Sequence, residues 1–460
     1  MSLRSSAAKP RSLSKQGPDS GLDLWSTVFS GMFGCWLGLA LLKFGNPVIL
    51  DRLVEPPRGF WEFVIQSWPL KWGYLLLLPV AIAGFKVGSL KTQAPRWLIL
   101  LPLLWLGWQV IAGARTVSPA LTRVTLMHFA SCVISFYLGL FCLGRVKRLV
   151  PFAAALLGAF LFVLWLGFAQ HYGGLEATRQ QLYELPNWQQ YPPEYLKKIA
   201  SNRIFSSLVY PNALAASVLL YLPFLMVFTW ISTARFPPVI RGVLAGLVGY
   251  SSLACLYWSG SKAGWLVALL VSLLILVHQP LPRRTKLIII NIVLVVGLAA
   301  FFLKFAAYFE KGATSAAARM QYWEAAWQTF REHPMLGTGP GTFSVPYAKI
   351  KPPEAEMARL THNDFLEQAC DSGIIGFLTY AGFIIASLVM LYRKSNLASE
   401  PLFFSVWLGL FAWAVHSVVE FNLYIPALAW PAFAFLGWLC ASLSSSPTRT
   451  NQFDKLGLTE

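Results

Sequence analysis

The sequence predicts an all-α fold, a polytopic integral membrane protein with about twelve transmembrane helices and a large outer loop that holds interfacial helices. Three observations predict it. Hydrophobic residues make up 56% of the chain and charged residues only 12%, with a mean hydropathy of +0.56, a balance far outside that of soluble proteins. Apolar runs able to cross roughly 30 Å of hydrocarbon recur along its length. The polar intervals between them are short, apart from outer loops at 170–203 and 308–372.

Windows of about 19 residues place the spans near 25–43, 73–89, 97–113, 124–143, 150–169, 204–232, 239–258, 263–278, 286–307, 373–391, 402–418 and 424–443. Orientation follows from the basic residues. With both termini in the cytoplasm, the loops carrying Lys86, Lys91 and Arg96, then Arg145, Lys147 and Arg148, then Arg235 and Arg241, then Arg283, Arg284 and Lys286, then Arg393 and Lys394 all fall inside. The net charge of +17 is therefore mostly a topology signal. Nucleic acid is not an expected partner, because a nucleic-acid binder gathers its basic residues on one soluble face. The first apolar run is span-length and lacks a small-residue cleavage site, so it reads as an uncleaved anchor. The six cysteines mostly lie inside spans without a C-x-x-C pair, which argues for packing roles and against a disulfide framework or a zinc cluster.

In chain order, residues 1–22 read as a disordered cytoplasmic tail rich in Ser, Lys, Arg and Pro. Residues 23–446 form one transmembrane helical domain, and 447–460 a second cytoplasmic tail. The first outer loop, 44–72, mixes prolines with Phe60, Trp61, Phe63 and Trp68, the composition of an interfacial anchor. Spans two to five read as scaffold, with Arg115 and Arg123 in the short outer loop before the fourth. His128, inside that span, has no acidic partner nearby in sequence and reads as a neutral, hydrogen-bonded structural histidine. The loop 170–203 begins with a helical stretch around 174–185, and Pro186, Pro192 and Pro193 act as breakers in its second half. Arg203 stands where this loop enters the sixth span. Pro211 and Asn212 lie two turns deeper, where a kinked helix would need partners for its freed backbone groups and would face protein or a water-filled cavity. Between the seventh and eighth spans, Lys262 sits in a tight Trp-Ser-Gly-Ser-Lys-Ala-Gly turn, which can offer an ammonium and backbone amides to an anion or can simply be a wet turn.

The longest outer loop carries the polar residues of greatest interest. Arg319, Tyr322, Trp323, Ala326, Trp327 and Phe330 recur at helical spacing opposite Gln321, Glu324, Gln328 and Arg331, which predicts an amphipathic helix lying in the interface. Arg319 lies near its N-terminal end, where the macrodipole disfavours a cation, and that placement points to anion binding. His333 and Pro334 end the helix. Gly337, Gly339 and Gly341 then let the chain fold back; they come after a helix and lack the Lys-Ser/Thr of a phosphate loop, so nucleotide binding is rejected. Thr361 or Asn363 caps the next helix, with His362 at the membrane surface and Asp364, Glu367 and Asp371 close behind. An imidazole there suits general-base chemistry. Glu367 and Asp371 share a helix face, but no second histidine is placed to complete a metal site. His416 and Glu420 lie in the last outer turn, where they either serve substrate or pair between span ends.

These blocks resemble the O-antigen ligase and Wzy-type polymerase superfamily of bacterial envelope glycosyltransferases. The resemblance rests on R-x-x-x-W at Arg319 and Trp323, HP-x-x-G-x-G from His333 to Gly339, HN-x-x-L at His362, Asn363 and Leu366, and G-x-x-G at Gly373 and Gly376. Supporting blocks run from Arg203 to Ala215 and from His416 to Asn422, with the S-x-S-K-x-G turn between them, so the likeness covers about 200–440. The family's usual arginine in that turn is Lys262 here, which removes a bidentate fork at this position.

The resemblance implies a metal-independent, cofactor-free enzyme of the GT-C type, in the bacterial inner membrane, with its active site facing the periplasm. Its donor would be an oligosaccharide on undecaprenyl diphosphate, and its acceptor lipid A core or another glycan. His362, Arg319 and Arg203 would be catalytic, and Lys262, Asn212, Asn363, His416 and Glu420 would bind substrate. Within this family a Wzy-type polymerase and a protein O-oligosaccharyltransferase use the same parts as a ligase. From a different class, a bicarbonate-like secondary transporter fits the span count, but transport predicts broken or ionisable elements near the midplane, and only His128, Pro211 and Asn212 lie that deep. A purely structural membrane subunit would not need Arg203, Arg319 and His362 on one side.

Overall fold

A computed structural model of the chain describes residues 19–184, 188, 196, 200–310, 313–394 and 400–443. The expected tails at 1–22 and 447–460 lie outside these residues, apart from the helical start at 19–22, as do Pro186, Pro192 and Pro193. The fold is helical throughout the described residues, with no strand among them. We number the main helices α1 (Asp19–Lys43), α2 (Leu70–Val87), α3 (Arg96–Gly113), α4 (Pro119–Tyr137), α5 (Val150–Ala169), α6 (Pro211–Ser232), α7 (Pro238–Ser259), α8 (Lys262–His278), α9 (Arg283–Lys304), α10 (Thr314–Glu332), α11 (Asp364–Lys394), α12 (Pro401–His416) and α13 (Pro426–Ser442).

All but α10 are apolar, and each falls on one of the predicted runs. Among the described residues, nine helices are long and apolar enough to cross a membrane; α8, α12 and α13 are shorter apolar helices of 16 or 17 residues. Prolines start several of them, because a proline in the first turn gives up no hydrogen bond. Pro211 is one of these. The sixth apolar helix begins at Pro211 and is not kinked there, and residues 204–210 are an extended and 3-10 segment outside the helix. Arg123 likewise lies within the first turns of α4 and not in the loop before it.

The centre of the bundle is α13, buried along its length from Pro426 to Cys440. It packs against α1, α4, α6 and α12. Trp36 of α1 stacks on Trp430 with ring centroids 4.6 Å apart. Contact with the end of α4 is closer still: a Cβ on Gly437 would lie 1.9 Å from the Phe136 carbonyl oxygen, and one on Gly139 would lie 2.1 Å from that of Ala434. Small residues are what allow backbones to approach in this way where lipid removes the hydrophobic drive between helices. His128 is buried in α4 and hydrogen-bonds through Nε2 to the Leu423 carbonyl at 2.7 Å, the structural role expected of it.

At the opposite extreme, α9 is scarcely buried, with Phe301 its one buried residue, and packs chiefly on α8. The helix predicted around 174–185 is present as Leu175–Glu184. All five buried cysteines and the exposed Cys35 are free thiols.

Candidate active site

The polar helix α10 runs from Thr314 to Glu332 and stops at His333, as the sequence pattern predicts. It buries Tyr322, Ala325, Ala326 and Thr329 against the start of α11, while Trp327, expected on that face, is half exposed. A turn then brings the chain back. Gly337, Gly339 and Gly341 all take positive φ, and the turn seats itself on a break in α11 at Gly373, whose φ of 68° interrupts the helix. Around that break the orphaned groups find partners in the turn: Thr338 and Gly339 donate to the Cys370 and Asp371 carbonyls, and Ile374 donates to the Pro334 carbonyl. The Asp371 carboxylate accepts from the Gly341 amide at 2.6 Å. These bonds hold α11 around its break, and its start, beside His362, is held by the Asp364 amide donating to the Ser417 carbonyl at 2.9 Å.

The three carboxylates behind His362 prove to be structural. Asp364 accepts from the Leu423 amide at 2.8 Å and Glu367 from the Thr361 amide at 2.5 Å. All three are fully buried in the protein and not at a surface. Asn363, expected among the substrate-binding groups, is the N-cap of α11, its Oδ1 accepting from the Phe365 and Leu366 amides at 3.0 and 3.1 Å. Its side-chain oxygen is committed to the helix.

Five of the remaining expected site residues form one hydrogen-bonded cluster around Glu420. Its Oε1 accepts from the Arg319 guanidinium and, at 2.5 Å, from Asn212 Nδ2; its Oε2 faces His362 Nδ1 at 3.0 Å. Asn212, at the N-terminus of α6, turns its own oxygen to Arg203 Nη2 at 2.7 Å. Arg203 also donates through Nε to the Ser259 carbonyl at 2.7 Å, its side chain lying over Gly260, whose positive φ of 60° makes that turn. Arg319 donates through Nε to the Val419 carbonyl at 3.1 Å. His362 is itself in the left-handed region at φ 55°, an uncommon conformation for a side-chain-bearing residue. Its ring lies nearly parallel to Tyr322 at 5.8 Å and edge-on to Phe421 at 4.7 Å.

Electrostatics keep the Glu420 carboxyl ionised. Burial pushes the Glu420 carboxyl up, but the charge of Arg319 and the charge and hydrogen bond of His362 outweigh it and hold the group well below the usual carboxylate range. Burial lowers the Arg203 guanidinium, with Glu420 opposing and Arg319 adding to the effect. Lys262, at the first turn of α8, feels both arginines and sets its ammonium 4.0 Å from the Tyr308 ring centre and 5.2 Å from that of Phe305. His416 is fully buried beside the cluster; its Nδ1 pairs with Asn422 Oδ1 at 3.2 Å, and its Nε2 has no hydrogen-bond partner among the described residues.

Sequence reasoning missed the backbone anchors, the Ser259 and Val419 carbonyls, because a carbonyl's role depends on tertiary placement. Tyr322 reads in the sequence only as part of the apolar face of α10, and Tyr308 lies before that helix and carries no signal. Among the described residues no group of three His, Cys, Asp or Glu side chains is placed to hold a metal ion.

No curated protein shows a significant match to the chain. A protein-family model does: the one described as O-antigen ligase (Wzy_C), a family of glycosyltransferase-like membrane enzymes of polysaccharide biosynthesis that work on polysaccharide and lipid-linked substrates. The match takes in Lys262, Arg319, His362 and Asn363, while Arg203, Asn212, His416 and Glu420 lie outside it. Residues 247–381 thus match the O-antigen ligase family, consistent with a member of the O-antigen ligase and Wzy-type superfamily.

Proposed function

We propose that the protein is an O-antigen ligase-like glycosyltransferase, moving a sugar chain from undecaprenyl diphosphate to an acceptor hydroxyl such as one on lipid A core, at the outer face of the bacterial inner membrane. The observation that carries this reading is the joining of Arg203, Arg319 and His362 through Asn212 and Glu420 into one cluster at a common end of the bundle.

The reaction needs two things from the protein. As the acceptor oxygen bonds to the anomeric carbon, the bond from that carbon to the phosphate oxygen breaks, and the lipid diphosphate departs with the electron pair. Arg203 and Arg319 supply guanidinium donors for the charge that develops on it, and Lys262 adds a compact ammonium. The acceptor's proton must also go somewhere, and the ring nitrogen of His362 not engaged by Glu420 takes it. The cations are already part of the chain, so the diphosphate needs no divalent ion to neutralise it. No nucleotide is required either, since the diphosphate ester is the activated bond.

Purified protein in vesicles, given labelled undecaprenyl-diphosphate oligosaccharide with lipid A core, is expected to form lipid A core carrying the whole oligosaccharide and to release undecaprenyl diphosphate. Donor elongated on its own carrier would make the protein a polymerase. If the label crosses the bilayer unaltered and no glycosidic bond forms with any hydroxyl acceptor, the transferase reading falls and transport replaces it.

A further inference from the structure

The sequence places Glu420 among the groups that bind substrate, yet its carboxylate has no room for one. It is 3% exposed, and three side-chain donors already occupy it. The distribution of those donors is uneven. Asn212 Nδ2 and the Arg319 guanidinium both address Oε1, and His362 Nδ1 alone addresses Oε2. Since an ionised carboxylate only accepts hydrogen bonds, the proton on the His362 ring must be at Nδ1, which leaves the lone pair at Nε2.

The geometry points to Glu420 as the positioning residue of this site: it fixes the tautomer and orientation of His362, so that Nε2 is the base, and ties that base to the arginines that hold the diphosphate. This inference rests on the transferase reading for its catalytic consequence, but the tautomer itself does not. When Nε2 takes the acceptor's proton, the imidazolium that results faces a carboxylate 3.0 Å away, so the charge is stabilised where it forms. Tyr322 along its face and Phe421 edge-on set the plane of the ring, and the bond from Nδ1 to Glu420 selects which edge faces the carboxylate.

The uneven donor arrangement makes Glu420→Gln a specific probe. An amide has one accepting oxygen and one donating nitrogen. With two donors on the Oε1 side, the amide oxygen settles there and the nitrogen faces His362, which must then accept at Nδ1 and carry its proton at Nε2. The base is lost while the packing is kept. Other charged and titratable groups act on the same carboxylate, namely Arg319 from α10, Arg203 from the segment before α6, His416 from α12 and Asp364 from α11, and the substitution leaves them all in place.

The test uses the full chain in vesicles with undecaprenyl-diphosphate oligosaccharide and lipid A core. Glu420→Gln is expected to lower kcat on the order of 10²–10⁴-fold with the donor KM within a few-fold of wild type. Glu420→Asp should recover part of that loss, and Glu420→Gln in a His362→Ala background should cause almost no further loss. A rise in KM at unchanged kcat, or losses that multiply in the double variant, would overturn the assignment. Should the variants fail to fold, nitrogen NMR on wild-type protein labelled at histidine, assigned by difference against His362→Ala, decides the matter without substrate. A proton on Nδ1 and a bare Nε2 support the inference, and the reverse tautomer overturns it. Failure of wild-type protein to transfer sugar would instead count against the proposed function and leave the tautomer result standing.

Discussion

Arg319 anchors itself through two donors, one to the Val419 carbonyl and one to Glu420, with a longer third bond from Nη1 to the Ser315 carbonyl at 3.4 Å, and keeps only the remaining N–H groups of its fork for a ligand. A lysine has one nitrogen and cannot reproduce both anchors while facing a phosphate. Arg319→Lys should therefore lose most of its kcat/KM, at least about tenfold, despite the conserved charge, because one bidentate contact is worth about 1.4 kcal/mol or more at that factor. Wild-type turnover in the steady state would reduce Arg319 to an interfacial anchor. Glu420 makes a second prediction at this scale. Its folded carboxyl lies below its unfolded value, so the stability it contributes is present above the ordinary carboxylate range and is lost only as pH falls through the lowered value. The difference in Tm between wild type and Glu420→Gln should stay constant from about pH 7 to about pH 5 and shrink only below about pH 4. Shrinkage near pH 6 would mean the carboxylate is not held by its cations. At this scale the sequence marked most of the cluster, because Arg203, Asn212, Arg319, His362 and Glu420 all stand in the blocks that carry the resemblance. It could not tell ligand from scaffold: Asn363 and Glu420 look alike on paper, and only the hydrogen bonds separate a helix cap from the hub of the site.

Among the elements, α10 and α11 matter most, since the glycine turn seats on the break at Gly373 while the Asn363 cap starts α11 directly after His362 in its left-handed conformation. Helix limits were legible where hydropathy changed sharply, and the His333-Pro334 stop and the glycine turn were legible from residue type. The break within α11 was not, because G-x-x-G inside an apolar run reads equally as close packing. The same holds for Pro211, where the apolar run began before the helix did; a proline in the first turn and a proline at a kink have one sequence signature and two geometries. The cap assignment is testable. Asn363→Ala should cost about 1 kcal/mol of stability, seen as a lower Tm, and leave the donor KM unchanged. A raised KM at unchanged Tm would return Asn363 to the substrate.

On the scale of the whole molecule, the bundle is organised around α13, a helix of 17 residues that the hydropathy profile ranks no higher than its neighbours. Periodicity could not have singled it out, because a helix buried on every side has no polar face to set a phase. Its centrality shows in contacts such as Gly437 on the Phe136 carbonyl, where Gly437→Ala is expected to lower Tm by several degrees or prevent accumulation in the membrane, since the added Cβ would lie 1.9 Å from that oxygen. An unaltered Tm would mean the two backbones stand further apart. Such packing gives the span ends a fixed frame, and the cluster around Glu420 draws on three of them, the starts of α6 and α11 and the segment joining α12 to α13, with α10 adding Arg319. The central claim is that this frame presents a diphosphate cradle and a base to one lipid-linked donor. It is tested most directly by measuring donor binding and sugar transfer side by side in wild type and His362→Ala. The account predicts unchanged binding of the undecaprenyl-diphosphate oligosaccharide and transfer cut to a small residual rate in the variant; transfer at the wild-type rate would contradict it.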